Sequence, residues 1–131
     1  MEFQCDTTSR VPIYRQLMEQ VRQGVARGRL RAGTRLPSVR QLSRELVVNP
    51  NTVARTYTEL EREGTLITRQ GLGVFVAEPS ADLSAAARRE RFVESLDRFL
   101  TEAVHLGFSA DDVLSGVAKR IKSFQFAGAE S

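Results

Sequence analysis

The 131-residue chain contains no tryptophan, one cysteine, one histidine and only two lysines. A lone Cys5 excludes an internal disulfide, and a lone His105 excludes a His/Cys metal cluster. No nucleophile, base and orienting group can be assembled from so small a set, and no phosphate-cradling glycine loop appears. An enzyme is therefore not expected, nor is a cofactor or a metal. Long apolar runs are missing too. The longest, Val74-Phe75-Val76-Ala77, is four residues, far short of the ~20 that a membrane helix needs. Met1–Asp6 lacks the basic-then-apolar pattern of a secretory signal, which points to a soluble, cytoplasmic protein. With 41% hydrophobic and 27% charged residues the composition is that of a globular chain. A chain of this length buries roughly two-thirds of its unfolded surface, so it needs no covalent staple.

The charge is unevenly placed. Residues 1–79 hold 12 arginines and no lysine against 8 acids, a balance of +4, whereas residues 80–131 hold 7 basic and 8 acidic side chains. An arginine-biased front half suits an anionic partner, foremost nucleic acid, although an ordinary solvated surface would look similar.

Hydrophobic spacing divides the front half into short elements. Ile13, Leu17, Val21 and Val25 recur every four residues behind Pro12, predicting a first helix, with Pro12 in its first turn, that ends near Gly28. Arg29–Thr34 follows as a turn. Ser38 and Gln41 form an S-x-x-Q capping box before Val39, Leu42 and Leu46, predicting a second helix of about two turns. Asn49 caps a third helix with Pro50 in its first turn; Val53, Tyr57 and Leu60 point inward, and Gly64 ends it. The period then changes. Leu66-Ile67-Thr68 and Val74-Phe75-Val76, separated by a loop with Gly71 and Gly73, read as a hairpin. Glu78-Pro79-Ser80 marks a boundary, giving domains at 1–79 and 80–131. The second part is all helical. A stripe of Phe92, Val93, Leu96, Phe99, Leu100, Ala103 and Val104 stops at Gly107; Ser109 caps a last helix whose stripe, Val113, Leu114, Val117, Ile121 and Phe124, continues it. The last few residues are expected to fray.

Helix, short helix, capped helix and glycine-tipped hairpin is the order of a winged helix-turn-helix. The fold expected is thus mostly α with a small β-hairpin, extended by a C-terminal helical segment. On a 100° wheel, Asn51, Arg55, Thr58 and Arg62 lie opposite Val53, Tyr57 and Leu60. Asn51 and Arg55, with Thr52 at the edge, are residue types that hydrogen-bond base edges in a major groove. Asn49 and the helix start can meet a phosphate, and Arg40, in the first turn of the second helix, can reach the groove edge.

The stretch Arg31–Leu42, with Gly33-Thr34-Arg35-Leu36-Pro37-Ser38-Val39-Arg40, resembles the G-x-x-L-P-S-x-R-x-L motif of the GntR family of bacterial transcription regulators. Val48–Tyr57 resembles the family's recognition helix; Glu59–Gly64 and Gln70–Val76 resemble its helix end and wing, and Pro12-Ile13-Tyr14 the lead-in. The short helical tail is similar to the YtrA-like branch. The resemblance implies DNA contacts at Arg40, Asn49, Pro50, Asn51, Thr52, Arg55 and the wing residues Gln70 and Gly71, beside which stands Arg69. Some branches carry arginine at the positions of Pro50 and Ala54, so their operator bases do not transfer to this chain. The branch further implies a homodimeric repressor, often encoded beside genes for an ATP-binding-cassette transporter.

Other readings stand beside these. Gly71 and Gly73 also fit a plain turn, and Arg40 also fits a partnership with Glu45. Phe92, Leu96, Phe99, Ala103, Val113, Val117, Ile121 and Phe124 fit a dimer interface, and the phenylalanines among them fit the lining of an effector cavity. A winged-helix module for protein assembly is a further alternative, and it would carry apolar residues where Asn51, Arg55 and Arg62 stand. The expected partners are double-stranded DNA bearing an inverted repeat and a second copy of the chain, with a small-molecule effector left open.

Overall fold

Apolar side chains at four-residue spacing set the first element, α1, over Ile13–Ala26 in the computed structural model, which describes residues 1–78 and 84–126. The boundary expected at residue 79 and the chain end expected to fray lie at least partly outside these. Pro12 stands one position before α1 rather than inside its first turn; its carbonyl accepts from the Arg15 and Gln16 amides. Leu17, Met18 and Val21 are buried, and Gly24 lets Leu30 close over the helix, since a Cβ there would lie 2.9 Å from Leu30 Cδ1.

Helix α2 spans Val39–Leu46, and Ser38 Oγ accepts from the Gln41 amide at 3.0 Å. Only half of the expected box forms, because the Gln41 side chain donates to Glu45 instead. Helix α3 spans Pro50–Arg62 behind Asn49, whose Oδ1 accepts from the Asn51 amide at 2.8 Å. Val53, Thr56, Tyr57 and Leu60 are its buried face. The Tyr57 hydroxyl donates to the Pro37 carbonyl at 2.6 Å, tying α3 to the start of α2. Burial pushes that phenol pKa well up, so it remains a donor.

Strands β1 (Leu66–Arg69) and β2 (Gly73–Val76) pair antiparallel, with Leu66 opposite Val76 and Arg69 opposite Gly73. The segment read as a simple turn does more than turn. Leu36 N donates to Val74 O and Val76 N to Thr34 O, both at 2.8 Å, and Arg35 forms an isolated bridge to Phe75, so the Thr34–Leu36 segment borders the two-stranded sheet beside β2. Leu17, Val21, Leu42, Val53, Leu60 and Leu66 fill one core between the three helices and the sheet. Each such side chain contributes about 1.5–3 kcal/mol by leaving water.

Contacts divide the described residues into two compact units, 1–78 with 125–126, and 84–124. The second holds α4 (Ala85–His105) and α5 (Ala110–Arg120). Ser84 and Ser109 cap them, and Ser109 and Asp112 form a complete capping box. The α5 stripe ends sooner than its spacing suggests. Ile121–Ser123 is a 3-10 turn and Phe124 is extended, so Phe124 follows α5 rather than belonging to it.

Candidate nucleic-acid interface

The buried stripe of α3 dictates what its other face presents. With Val53, Tyr57 and Leu60 locked in the core, Asn51, Arg55, Thr58 and Arg62 are exposed, as the wheel predicts. Pro50 occupies the first turn, Thr52 is half-buried beside Asn51, and the side chain of Asn49 is spent on capping. Arg40 is exposed in the first turn of α2. Its expected alternative partner, Glu45, accepts from Gln41.

Arg55 is not free in solvent. Its guanidinium carbon lies 3.7 Å from the centroid of the Tyr14 ring, a close cation–π stack between α3 and α1. Arg15 approaches the same ring at 6.0 Å, and its Nε donates to the Tyr14 hydroxyl at 3.2 Å. That hydrogen bond, with the charges of Arg15 and Arg55, holds the Tyr14 phenol below its ordinary pKa. The stack leaves the edges of the Arg55 fork available for hydrogen bonding while fixing its plane. Arg62, the last residue of α3, pairs with Glu59 at 3.0 Å.

The hairpin tip is Gln70-Gly71-Leu72, exposed, with Gly71 at φ +78 and Gly73 at φ +125. Arg69 flanks it, its guanidinium carbon 5.7 Å from the Phe75 ring. One arginine was not singled out from the sequence. Arg35 reaches the wing through its isolated bridge to Phe75, a pairing that no local pattern announces.

Along α4, Phe92, Leu96 and Phe99 are exposed, as are Val117 on α5 and Ile121 beyond it; Val113 and Phe124 are half-buried. Ala103 alone of this set is buried, and the Phe108 amide donates to its carbonyl where the chain turns after α4. Phe99, Ala103, Val113, Val117 and Phe124 line an apolar cleft of about 470 Å³ within this unit, with Glu102, Asp112 and Arg120 among its lining residues.

The model of the bacterial regulatory proteins of the gntR family matches residues 13–76, the span from α1 to the end of β2. The HTH-type transcriptional repressor YtrA of Bacillus subtilis is 35% identical over 104 residues, covering 79% of this chain and 80% of YtrA. The chain belongs to the GntR family. Among solved structures, a transcriptional antiterminator from Listeria monocytogenes EGD-e matches with a TM-score of 0.75 and 28% identity, over 100% of this chain and 98% of that one. YtrA from Sulfolobus acidocaldarius, a GntR-family transcription factor, matches with a TM-score of 0.58 and 26% identity, over 90% and 95%. These matches extend past the winged helix into the tail, so the GntR winged helix-turn-helix with a short helical C-terminal part is the fold of the described residues. The family is one of DNA-binding transcription regulators, not enzymes. No helix among the described residues is long and apolar enough to cross a membrane.

Proposed function

We propose that this GntR protein is a cytoplasmic, homodimeric repressor that binds an inverted-repeat operator in double-stranded DNA. The observation that carries the reading is the polar, arginine-bearing face of α3, opposite a closed core and beside an exposed Arg40. Helix α3 enters the major groove, with Asn51, Thr52 and Arg55 toward base edges. Arg40, Asn49 and Pro50 meet the groove edge and backbone, and Arg69, Gln70 and Gly71 meet the flanking DNA through the wing. An assembly module would present apolar side chains on that face, and it does not.

In this reading residues 1–79 bind DNA and residues 80–131 dimerise. The stripe of Phe92, Leu96, Phe99, Val117 and Ile121 supports that role, because a patch of this kind left in water marks an interface. A two-fold axis then presents two α3 helices to one face of the duplex, about 34 Å apart. Selection of bound sites from random duplexes tests the proposal. An inverted repeat with half-sites roughly one helical turn apart is expected, and no enrichment would overturn it.

The apolar cleft between α4 and α5 supports one further reading, an effector site in the same segment. A thermal-shift screen of small apolar acids and amines against the full chain decides it. A rise in melting temperature coupled to a change in operator affinity would establish a sensor.

A further inference from the structure

The bridge between Arg35 and Phe75 brings a second arginine to the wing. Alternation along the sheet places Arg35, Ile67, Arg69, Gly73 and Phe75 on its outer side, while Leu66, Val74 and Val76 face the core. The Arg35 guanidinium lies across the backbone of Gly73. A Cβ at that glycine would stand 2.9 Å from Arg35 Nε, 3.5 Å from its second terminal nitrogen and 3.6 Å from Cζ. Arg69 stands directly opposite Gly73 in the register, with its own guanidinium beside Phe75. Gly73 and Phe75 thus separate two exposed arginines.

Neither arginine forms an ion pair among the described residues. The carboxylates nearest in sequence are engaged elsewhere: for Arg69, Glu61 accepts from Thr68, and Glu63 from Arg22 and Thr65; for Arg35, Glu45 accepts from Gln41. Sheet geometry, rather than a counter-ion, holds the two cations on one face beside the exposed tip Gln70-Gly71. Such an arrangement awaits an anion supplied from outside, and the planar guanidinium fork matches phosphate oxygens.

We propose that Arg35 is a DNA-binding residue of the wing, and that Arg35 and Arg69 together hold backbone phosphates next to the wing tip. The proposal rests on the DNA-binding reading above and adds a residue to it. Phosphate contacts give affinity and salt dependence without sequence preference, which separates them from base readout.

The test measures binding of the full-length protein to its selected operator and to a random duplex across a range of salt. For R35Q, the slope of log affinity against log salt is expected to fall by about 0.9, the value for one lost phosphate contact. Both duplexes should weaken by the same factor. R35K, which retains the charge, should keep the slope, and R35Q combined with R69Q should lower it by about twice as much. Melting temperature is followed in parallel; should R35Q lose its fold, R35T, suited to a strand position, replaces it. An unchanged slope in a variant with a lowered melting temperature would make Arg35 a packing residue over Gly73 and overturn the proposal. A loss confined to the operator would assign it to a base instead, overturning the phosphate role. Wild-type protein that binds neither duplex would remove the DNA-binding reading itself.

Discussion

Val47 joins α2 to α3 with φ at 54°, the only non-glycine among the described residues in the left-handed region. A β-branched side chain pays roughly 1–2 kcal/mol for that conformation, and Val47, 90% exposed, recovers nothing by burial. Val47→Gly is therefore expected to stabilise the protein by about 1 kcal/mol in urea unfolding, net of glycine's larger unfolded-state entropy. Operator affinity should stay unchanged; a less stable variant would mean that the valine supports the turn in another way. Arg55 makes a different claim. Arg55→Ala should cost about 1–3 kcal/mol in operator affinity and much less on random duplex, as a lost base contact does. The Tyr14 stack implies that the ring orients the fork, so Tyr14→Phe should bind normally and Tyr14→Leu should bind weakly. In the Arg55→Ala background Tyr14→Leu should add little, because the two act as one unit. Additive losses in this double-mutant cycle would separate Tyr14 from Arg55.

One part-buried hydrogen bond, from the Tyr57 hydroxyl to the Pro37 carbonyl just ahead of the α2 cap, ties α3 to the start of α2. Tyr57→Phe leaves that carbonyl without its partner and should lower stability by about 1–2 kcal/mol. Equilibrium unfolding of the two proteins measures it, and an unchanged midpoint would show that the carbonyl finds water. At the other end of α3, Glu63 accepts two hydrogen bonds from Arg22 of α1, the main cause of its lowered pKa. A lowered carboxyl pKa stabilises above the ordinary carboxylate value, and the contribution is lost as pH falls through the lowered one. Both side chains are partly exposed, so Glu63→Gln should cost less than about 1 kcal/mol at pH 7, and the gap from wild type should close in acid. Helices were legible in the sequence because Leu17, Val21, Val53, Tyr57 and Leu60 repeat at helical spacing and Ser38, Asn49 and Ser109 announce starts. The bridge beside β2 was not. Thr34–Leu36 is too short to alternate, and only long-range pairing with Val74 and Val76 holds it against the sheet. Arg35 was missed for the same reason, and the strain at Val47 because nothing local distinguishes it from a helical valine. Phe124 keeps the α5 spacing but falls beyond Arg120, where the helix tightens into a 3-10 turn.

At the scale of the molecule, the two units stand differently toward water. The winged helix closes its own core, with a cluster of eleven buried hydrophobic residues from Leu17 to Val76. The tail buries only Ala103 among its described residues, and Phe92, Val93, Leu96, Phe99, Leu100, Val104, Leu114 and Val117 remain exposed along α4 and α5. In the proposed dimer, two amphipathic helices without a third layer satisfy their stripes by meeting a second copy. Exposed positions offer a clean test, since charge placed there does not disturb a core. Phe92→Glu with Leu96→Glu, at 58% and 39% exposure, should leave the melting of the winged helix intact and turn the full-length protein into a monomer. Sedimentation at micromolar concentration reads the mass directly. The monomer should bind one half-site as well as the wild type does, yet bind the full inverted repeat far more weakly, because the second contact is no longer intramolecular. A wild-type monomer, or a doubly substituted chain that still sediments as a dimer, would place the dimer contact elsewhere and leave these stripes without their partner.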